Sequence, residues 1–221
     1  MNIVENFNKI INQIKSLNTK RNINVIVVTK TFPKSDVEIL YQLGERNFGE
    51  NRSEEAGPKS DSLPQDCIWH FQGQIQSKKI ADIVSWADYI HSLDEISHAE
   101  KISRAASELG KIQKVFLQVN LDSDPANRGG VLPSGLIELA KSISKLPAIE
   151  IVGVMGIAPL NEDPAPAFSR LQECSHKLRE IAPNARYISA GMSGDFEIAL
   201  QFEATHIRIG SSILGARTPK P

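Results

Sequence analysis

Ile3, Val4, Phe7, Ile10, Ile11, Ile14 and Leu17 recur every three or four residues, with Asn, Lys and Glu between them. That spacing predicts an amphipathic helix at the start of the chain. The period then changes. Asn24-Val25-Ile26-Val27-Val28-Thr29 is short, β-branched and apolar on both faces, the pattern of a buried parallel strand. Lys30 stands at its C-terminal end. Ser35-Asp36-Val37-Glu38 has the form of a capping box, opening a helix through Leu43.

Strand and helix patterns alternate from there on. Strands are expected at 46–48, 67–71, 88–91, 114–119, 150–154, 186–188 and 205–209. Helices are expected near 51–57 and 77–84, then from a cap at Asp94 through Leu109, at about 133–145, over Phe168 to Ile181, near 194–201, and from Ser211. Strict alternation calls for a parallel sheet. Eight such units in about 200 residues predict a single closed (β/α)8 barrel of the TIM type, with one extra N-terminal helix. A doubly wound open sheet is the competitor. Residues 57–66 look like a loop, and 121–133 and 158–166 are excursions after strands. On a barrel such excursions lie on the ligand-binding face. Thr218-Pro219-Lys220-Pro221 reads as a frayed tail.

Composition narrows the function classes. Among 221 residues, Lys plus Arg number 25 and Asp plus Glu 26, a formal charge of −1. That balance argues against a protein built to grip nucleic acid or an anionic membrane. No apolar run reaches the roughly 18 residues of a membrane span, and the Glu- and Asn-containing N-terminus does not read as a signal peptide. Two cysteines, Cys67 and Cys174, cannot build a disulfide framework and read as buried thiols in a reducing compartment, with a cytoplasmic location expected.

Polar residues at the predicted strand ends are the candidate chemistry: Lys30, Asn51, His70, His91, Asn120, Met155, Ser189 and Arg208 succeed one another around the barrel. Lys30 has a bland reading, a lysine snorkelling at a strand end. Its sharper reading is an amine at an apolar mouth, desolvated and nucleophilic. Gly191-Met192-Ser193-Gly194-Asp195 and Gly210-Ser211-Ser212 follow strands seven and eight and open helices. Glycine lets a ligand approach the backbone, and hydroxyls with helix-start N–H groups attract anions, so the pair reads as a phosphate cradle. The five histidines show no metal-ligand spacing, and no GxGxxG or P-loop pattern is present. His98 and His176 read as helix-surface residues. Lys78-Lys79 and the Lys15, Lys20, Arg21 group read as solvated faces.

An ordered set of segments carries a family resemblance. Val27 to Thr31, Phe48-Gly49-Glu50-Asn51, Trp69-His70-Phe71-Gln72-Gly73-Gln74-Ile75-Gln76-Ser77-Lys78-Lys79 and Gly153 to Ile157 come in turn, then Ser189 to Asp195, Ile207 to Ser211 and Gly215-Ala216-Arg217. From about residue 25 to 217 the chain resembles the pyridoxal phosphate homeostasis proteins, barrel relatives of alanine racemase. The resemblance implies a barrel that binds pyridoxal 5′-phosphate (PLP), with Lys30 holding its aldehyde as a Schiff base. It implies Ser193, Gly210 and Ser211 at the phosphate, with backbone of Met192 and help from Ser189. Arg208 would face the pyridine nitrogen, and Asn51 and Met155 would line the ring. After strand five the family often has Lys, a small residue and Gly, where this chain has Arg128-Gly129-Gly130. Arginine does not form a Schiff base under ordinary conditions, so a role for a second lysine there does not carry over.

An arginine about 4 Å from a pyridinium would disfavour its proton by about 4 kcal/mol at an effective dielectric near 20. The ring would then be a weak electron sink. A non-catalytic PLP carrier acting in cofactor homeostasis is the leading reading. PLP-dependent client enzymes would be its partners, and a monomer is expected. Two enzyme readings compete. An amino-acid racemase needs an acid/base on each face of the substrate. The alanine racemases take one from a tyrosine of a second domain, for which this barrel leaves no room. A class I aldolase would use Lys30 and the same phosphate cradle.

Overall fold

The computed structural model describes residues 2–17, 21–122, 128–160 and 162–215. Helix α1 (Ile3–Ser16) comes first. The barrel units follow: β1 (Asn24–Val28) and α2 (Lys34–Gln42), β2 (Asn47–Glu50) and α3 (Ser53–Ser62), β3 (Ile68–Phe71) and α4 (Ile80–Trp86), β4 (Tyr89–Leu93) and α5 (Ile96–Glu108). The second half holds β5 (Gln113–Gln118) and α6 (Leu136–Ile143), β6 (Ile149–Met155) and α7 (Pro164–Ile181), β7 (Tyr187–Ser189) and α8 (Phe196–Gln201), β8 (His206–Ile209) and α9 (Ser211–Leu214). A 3-10 turn, Ser77–Lys79, leads into α4. The strands run parallel in chain order, and β1 pairs with β8, Asn24 opposite His206, which closes the barrel. The closed barrel expected from the alternation is the fold observed. Asp124 to Asn127, Asn161, Lys20 and the Ala216 to Pro221 tail lie outside the described residues.

The period of two decides what each strand shows to which side. On β3, Trp69 and Phe71 face the helices and join the main core, while His70 faces inward. On β8, Ile207 and Ile209 face outward and His206 and Arg208 inward. The main core therefore fills the layer between the barrel and the helices. α1 belongs to it through Phe7 and Ile10, with Asn2 capping its N-terminus by accepting from Val4 N–H at 3.1 Å. Inside the barrel lies a smaller apolar group, Phe116, Val152 and Met155. The remaining interior is aromatic and polar. His70 stacks on Tyr89 at 4.9 Å, His91 on Phe116 at 4.2 Å, and His206 lies 4.8 Å from Tyr187.

Several local expectations are corrected. The Ser35 capping box does not form, because Pro33 occupies the cap position and the helix starts at Lys34. Glu38 pairs instead with Lys34 at 3.2 Å. Residues 57–62 are helix rather than loop: α3 runs through Gly57 and Pro58, and its Lys59 is drawn to a buried carboxylate on β2. Asp94 does not cap α5; Glu95 holds that position, and Asp94 accepts from the Gly130 N–H at 3.0 Å. His98 is not a surface residue, since its side chain is 15% exposed and meets Glu95 at 3.1 Å. His176 is exposed and meets Glu203. Cys67 and Cys174 are buried free thiols.

Burial pushes His206 down to about 4, and it pushes His70 and His91 well below the ordinary histidine range. All three are neutral in the folded protein at pH 7 but take protons in the unfolded chain below about pH 6.5. Their contribution is fully present above that pH and is lost as pH falls below it, by about 1.4 kcal/mol per pH unit for each histidine, the loss for His206 ending near pH 4. Urea denaturation at pH values between about 7.5 and 5.5 is expected to show falling stability. His206→Gln should flatten that slope by one histidine's share; an unchanged slope would place the His206 proton uptake elsewhere.

Candidate functional site

A cavity of about 380 Å³ opens at the C-terminal mouth of the barrel. Of the residues singled out in the sequence, Lys30, Asn51, Met155, Met192, Ser193, Arg208, Gly210 and Ser211 line it. Volumes in the low hundreds of Å³ suit a small organic ligand. Val28, Phe32, Gln72, Ile157 and Gly194 complete most of the wall. Val28 stands two residues before Lys30, the spacing by which extended chain returns a side chain to the same side, while Gln72 and Ile157 lie just past the ends of β3 and β6. Phe32 sits in a loop, where no periodic signal exists.

Lys30 follows β1 on a short, tightly held segment. The Thr29 hydroxyl donates to Glu50 Oε1 at 2.7 Å. Lys59 Nζ donates to the same oxygen at 2.6 Å and to the Thr29 carbonyl at 3.0 Å. Thr29 and Glu50 are fully buried. Thr31 has φ +71°, a left-handed conformation costly for a β-branched residue, and its N–H donates to Glu55 Oε2 at 2.8 Å. Lys30 is thus presented between a buried ion pair and a strained residue. Burial pushes the Glu50 carboxyl upward, and Lys59 opposes that only in part. Glycine at 73 brings the segment after β3 against this floor, since a Cβ there would stand 2.2 Å from the Asn51 carbonyl.

Arg208 forms the inner wall. Its Nη1 donates to Ser189 Oγ at 2.7 Å and its Nη2 to the Gly156 carbonyl at 3.0 Å. Burial pushes its pKa down to about 10, with Asp195 pulling the other way, so the guanidinium stays charged at neutral pH. Ser189 is fully buried and does not line the cavity; its hydroxyl lies behind Arg208, β7 pairing Ser189 with His206, two residues before Arg208.

On the β8 side of Lys30, β8 being the neighbour of β1, lies a rim of hydroxyls. Ser193 Oγ accepts from the Ser212 N–H at 3.4 Å and stands 3.4 Å from Ser211 Oγ. Gly191 makes this loop possible: its φ is +91°, and a Cβ there would come within 2.8 Å of Ala199 and Phe196. Asp195 Oδ1 accepts from the Met192 N–H at 2.6 Å and closes the turn.

Other strand-end candidates do not converge on the cavity. His70 and His91 bond one another at 2.9 Å inside the barrel. Asn120 donates to the Arg128 carbonyl, and Arg128 Nη1 donates to the Ala158 carbonyl at 3.2 Å; neither lines the cavity. Gln76 and Lys79 border a second hollow with Asn51 and Arg52, where Lys79 pairs with Glu54 at 2.7 Å. No group of three or more His, Cys, Asp or Glu among the described residues is placed to hold a metal ion, and no described helix is long and apolar enough to cross a membrane.

The family described as "Alanine racemase, N-terminal domain" matches residues 3–218. The pyridoxal phosphate homeostasis protein of Mycobacterium tuberculosis is 35% identical over 215 residues, covering 88% of this chain and 83% of that protein. That of Corynebacterium glutamicum is 38% identical over 202 residues, covering 88% and 90%. The structure of PipY from Synechococcus elongatus with PLP bound superposes with a TM-score of 0.86 at 33% identity, covering 97% of this chain and 100% of that one. An alanine racemase of Clostridium difficile shares the fold, with a TM-score of 0.79 at 17% identity, covering 99% of this chain and 57% of its own.

Lys59→Met would leave the Glu50 carboxyl buried without its cation. A loss of about 3–5 kcal/mol in urea denaturation is expected; a loss below about 1 kcal/mol, the scale of an exposed pair, would show that the ion pair does not anchor the Lys30 segment.

Proposed function

The chain belongs to the pyridoxal phosphate homeostasis proteins, within the alanine racemase N-terminal-domain family, and on that premise we propose that it binds PLP in the mouth cavity and acts as a cofactor carrier in PLP homeostasis. The observation that carries this reading is the convergence of a lysine amine, a buried charged guanidinium and two serine hydroxyls on one small cavity. The donor chemistry fits the group. Ser193 and Ser211 would hold the phosphate, Lys30 would hold the aldehyde carbon through its amine, and Val28, Met155 and Ile157 give apolar wall against a flat ring.

When bound, PLP supplies an electrophilic carbonyl and an electron-withdrawing ring. Arg208 works against the second property, because a fixed cation disfavours a proton on a ring nitrogen held beside it. Its two bonds to Ser189 and Gly156 keep that charge in place. Lys30 can move a proton at its amine on one face of the cavity. Among the described residues, none of the tyrosines lines the wall: Tyr89 is stacked on His70 inside the barrel, and Tyr41 bonds Asp66 on the outside. No histidine or carboxylate lines it either. A second acid/base for two-base racemisation has no supplier in this wall, which supports a carrier over a racemase.

The protein loaded with PLP is expected to show a visible absorption band, and borohydride should fix the cofactor on the peptide containing Lys30. Lys30→Ala should lose both; a band that persists would assign another lysine. With alanine as substrate, turnover is expected to stay well below about 1 s⁻¹, the low end of ordinary enzymes, and turnover above it would sink the carrier reading.

A further inference from the structure

A continuous line of hydrogen bonds crosses the barrel from Arg208 to Glu45, and beyond Ser189 it runs through side chains that the cofactor reading does not use. Arg208 Nη1 meets Ser189 Oγ at 2.7 Å, and Ser189 Oγ meets His91 Nδ1 at 2.9 Å. His91 Nε2 meets His70 Nδ1 at 2.9 Å, and His70 Nε2 meets Asn47 Oδ1 at 3.2 Å. Asn47 Nδ2 donates to Glu45 Oε1 at 3.2 Å, an oxygen that also takes the backbone N–H of Arg46 and Asn47. Ser189, His70 and His91 are fully buried.

The two ends fix the direction of every bond between them. A guanidinium only donates. At the other end Asn47 spends its amide N–H on Glu45, so its Oδ1 must accept, and His70 carries its proton on Nε2. His70 Nδ1 is then bare and accepts from His91 Nε2–H. His91 Nδ1 is bare in turn and accepts the Ser189 hydroxyl proton, which leaves Ser189's lone pairs for Arg208. Each neutral ring uses its single proton once, and no member is left unsatisfied. A second proton on His91 would put an N–H against Ser189 and strand the hydroxyl proton in a dry interior. Burial and the neighbouring rings keep both histidines neutral.

We propose that His91 and His70 are positioning residues, locked as neutral Nε2–H tautomers, which aim the Ser189 hydroxyl and through it the Arg208 guanidinium at the ring of the bound cofactor. This rests on the PLP reading of the cavity, and it assigns Ser189 to Arg208 rather than to the phosphate. His91→Phe keeps the stack on Phe116 but removes both ring nitrogens. His91→Asn keeps an acceptor for Ser189, and Ser189→Ala removes the hydroxyl alone.

The test has one arm without PLP and one with it. In the ligand-free protein, nitrogen-15 NMR should show both histidines neutral and protonated at Nε2. It should also show slowly rotating Arg208 guanidinium signals, which are lost in Ser189→Ala. In PLP titrations, His91→Phe and Ser189→Ala should each weaken binding about tenfold, the scale of one hydrogen bond to a charged group, and shift the visible band, whereas His91→Asn should recover most of the affinity. Nδ1–H tautomers, or Arg208 signals unchanged in Ser189→Ala, would overturn the proposal. So would wild-type affinity and band in a folded Ser189→Ala or His91→Phe. If the wild-type protein does not take up PLP, the cavity reading fails, and the ligand-free arm still decides whether the line of bonds holds Arg208.

Discussion

Arg208 carries a positive charge at the end of β8 with only 5% of its surface exposed. A charge so placed is tolerable only if its N–H groups meet acceptors, because an unpaired buried ion costs several kcal/mol. Ser189 and the Gly156 carbonyl meet that demand. The demand then propagates. Ser189 lies deep enough to need a partner of its own, His91 provides it, and His70 and Asn47 follow for the same reason. The interior of this barrel is therefore a satisfied polar column beside a small apolar group, where the layers of such a barrel are commonly branched aliphatic side chains. Polar groups in that position specify one arrangement more sharply than apolar ones, since any shift leaves an orphan.

The neighbouring strand β1 follows a different logic. Lys30 sits on a segment held from below by the Glu50–Lys59 pair and turned by the left-handed Thr31. Two adjacent strands thus offer the cavity a cation with fixed direction and an amine on a long flexible stem. A ligand binding there is oriented by the guanidinium and captured by the amine. The alanine racemase structure at 17% identity shows how little of the barrel's sequence the shared fold needs. What separates one use of this fold from another lies in which side chains the mouth presents.

Much of this was legible along the chain. Strand period, helix period and strict alternation identify eight βα units and hence the barrel. Eight of the nine residues singled out for the site do meet at one cavity, although His70, His91 and Asn120, also read as strand-end residues, do not line it. Local signals failed where a distant partner overrode them. Gly57-Pro58 reads as a loop, yet α3 continues past it because Lys59 is needed at Glu50. Ser35 reads as a cap, yet Pro33 already sets the extended conformation that starts α2.

The sequence by itself determined the architecture, since the alternation of strand and helix follows from periodicity that each segment carries alone. Only the tertiary structure decided the depth of each polar residue within the barrel. His70, His91, Ser189 and Arg208 all read as strand-end residues, but strand register and tilt put Arg208 at the cavity and the other three beneath it in single file. That order depends on how eight strands are staggered against one another around a closed circle, a property of the pairings that no single strand encodes.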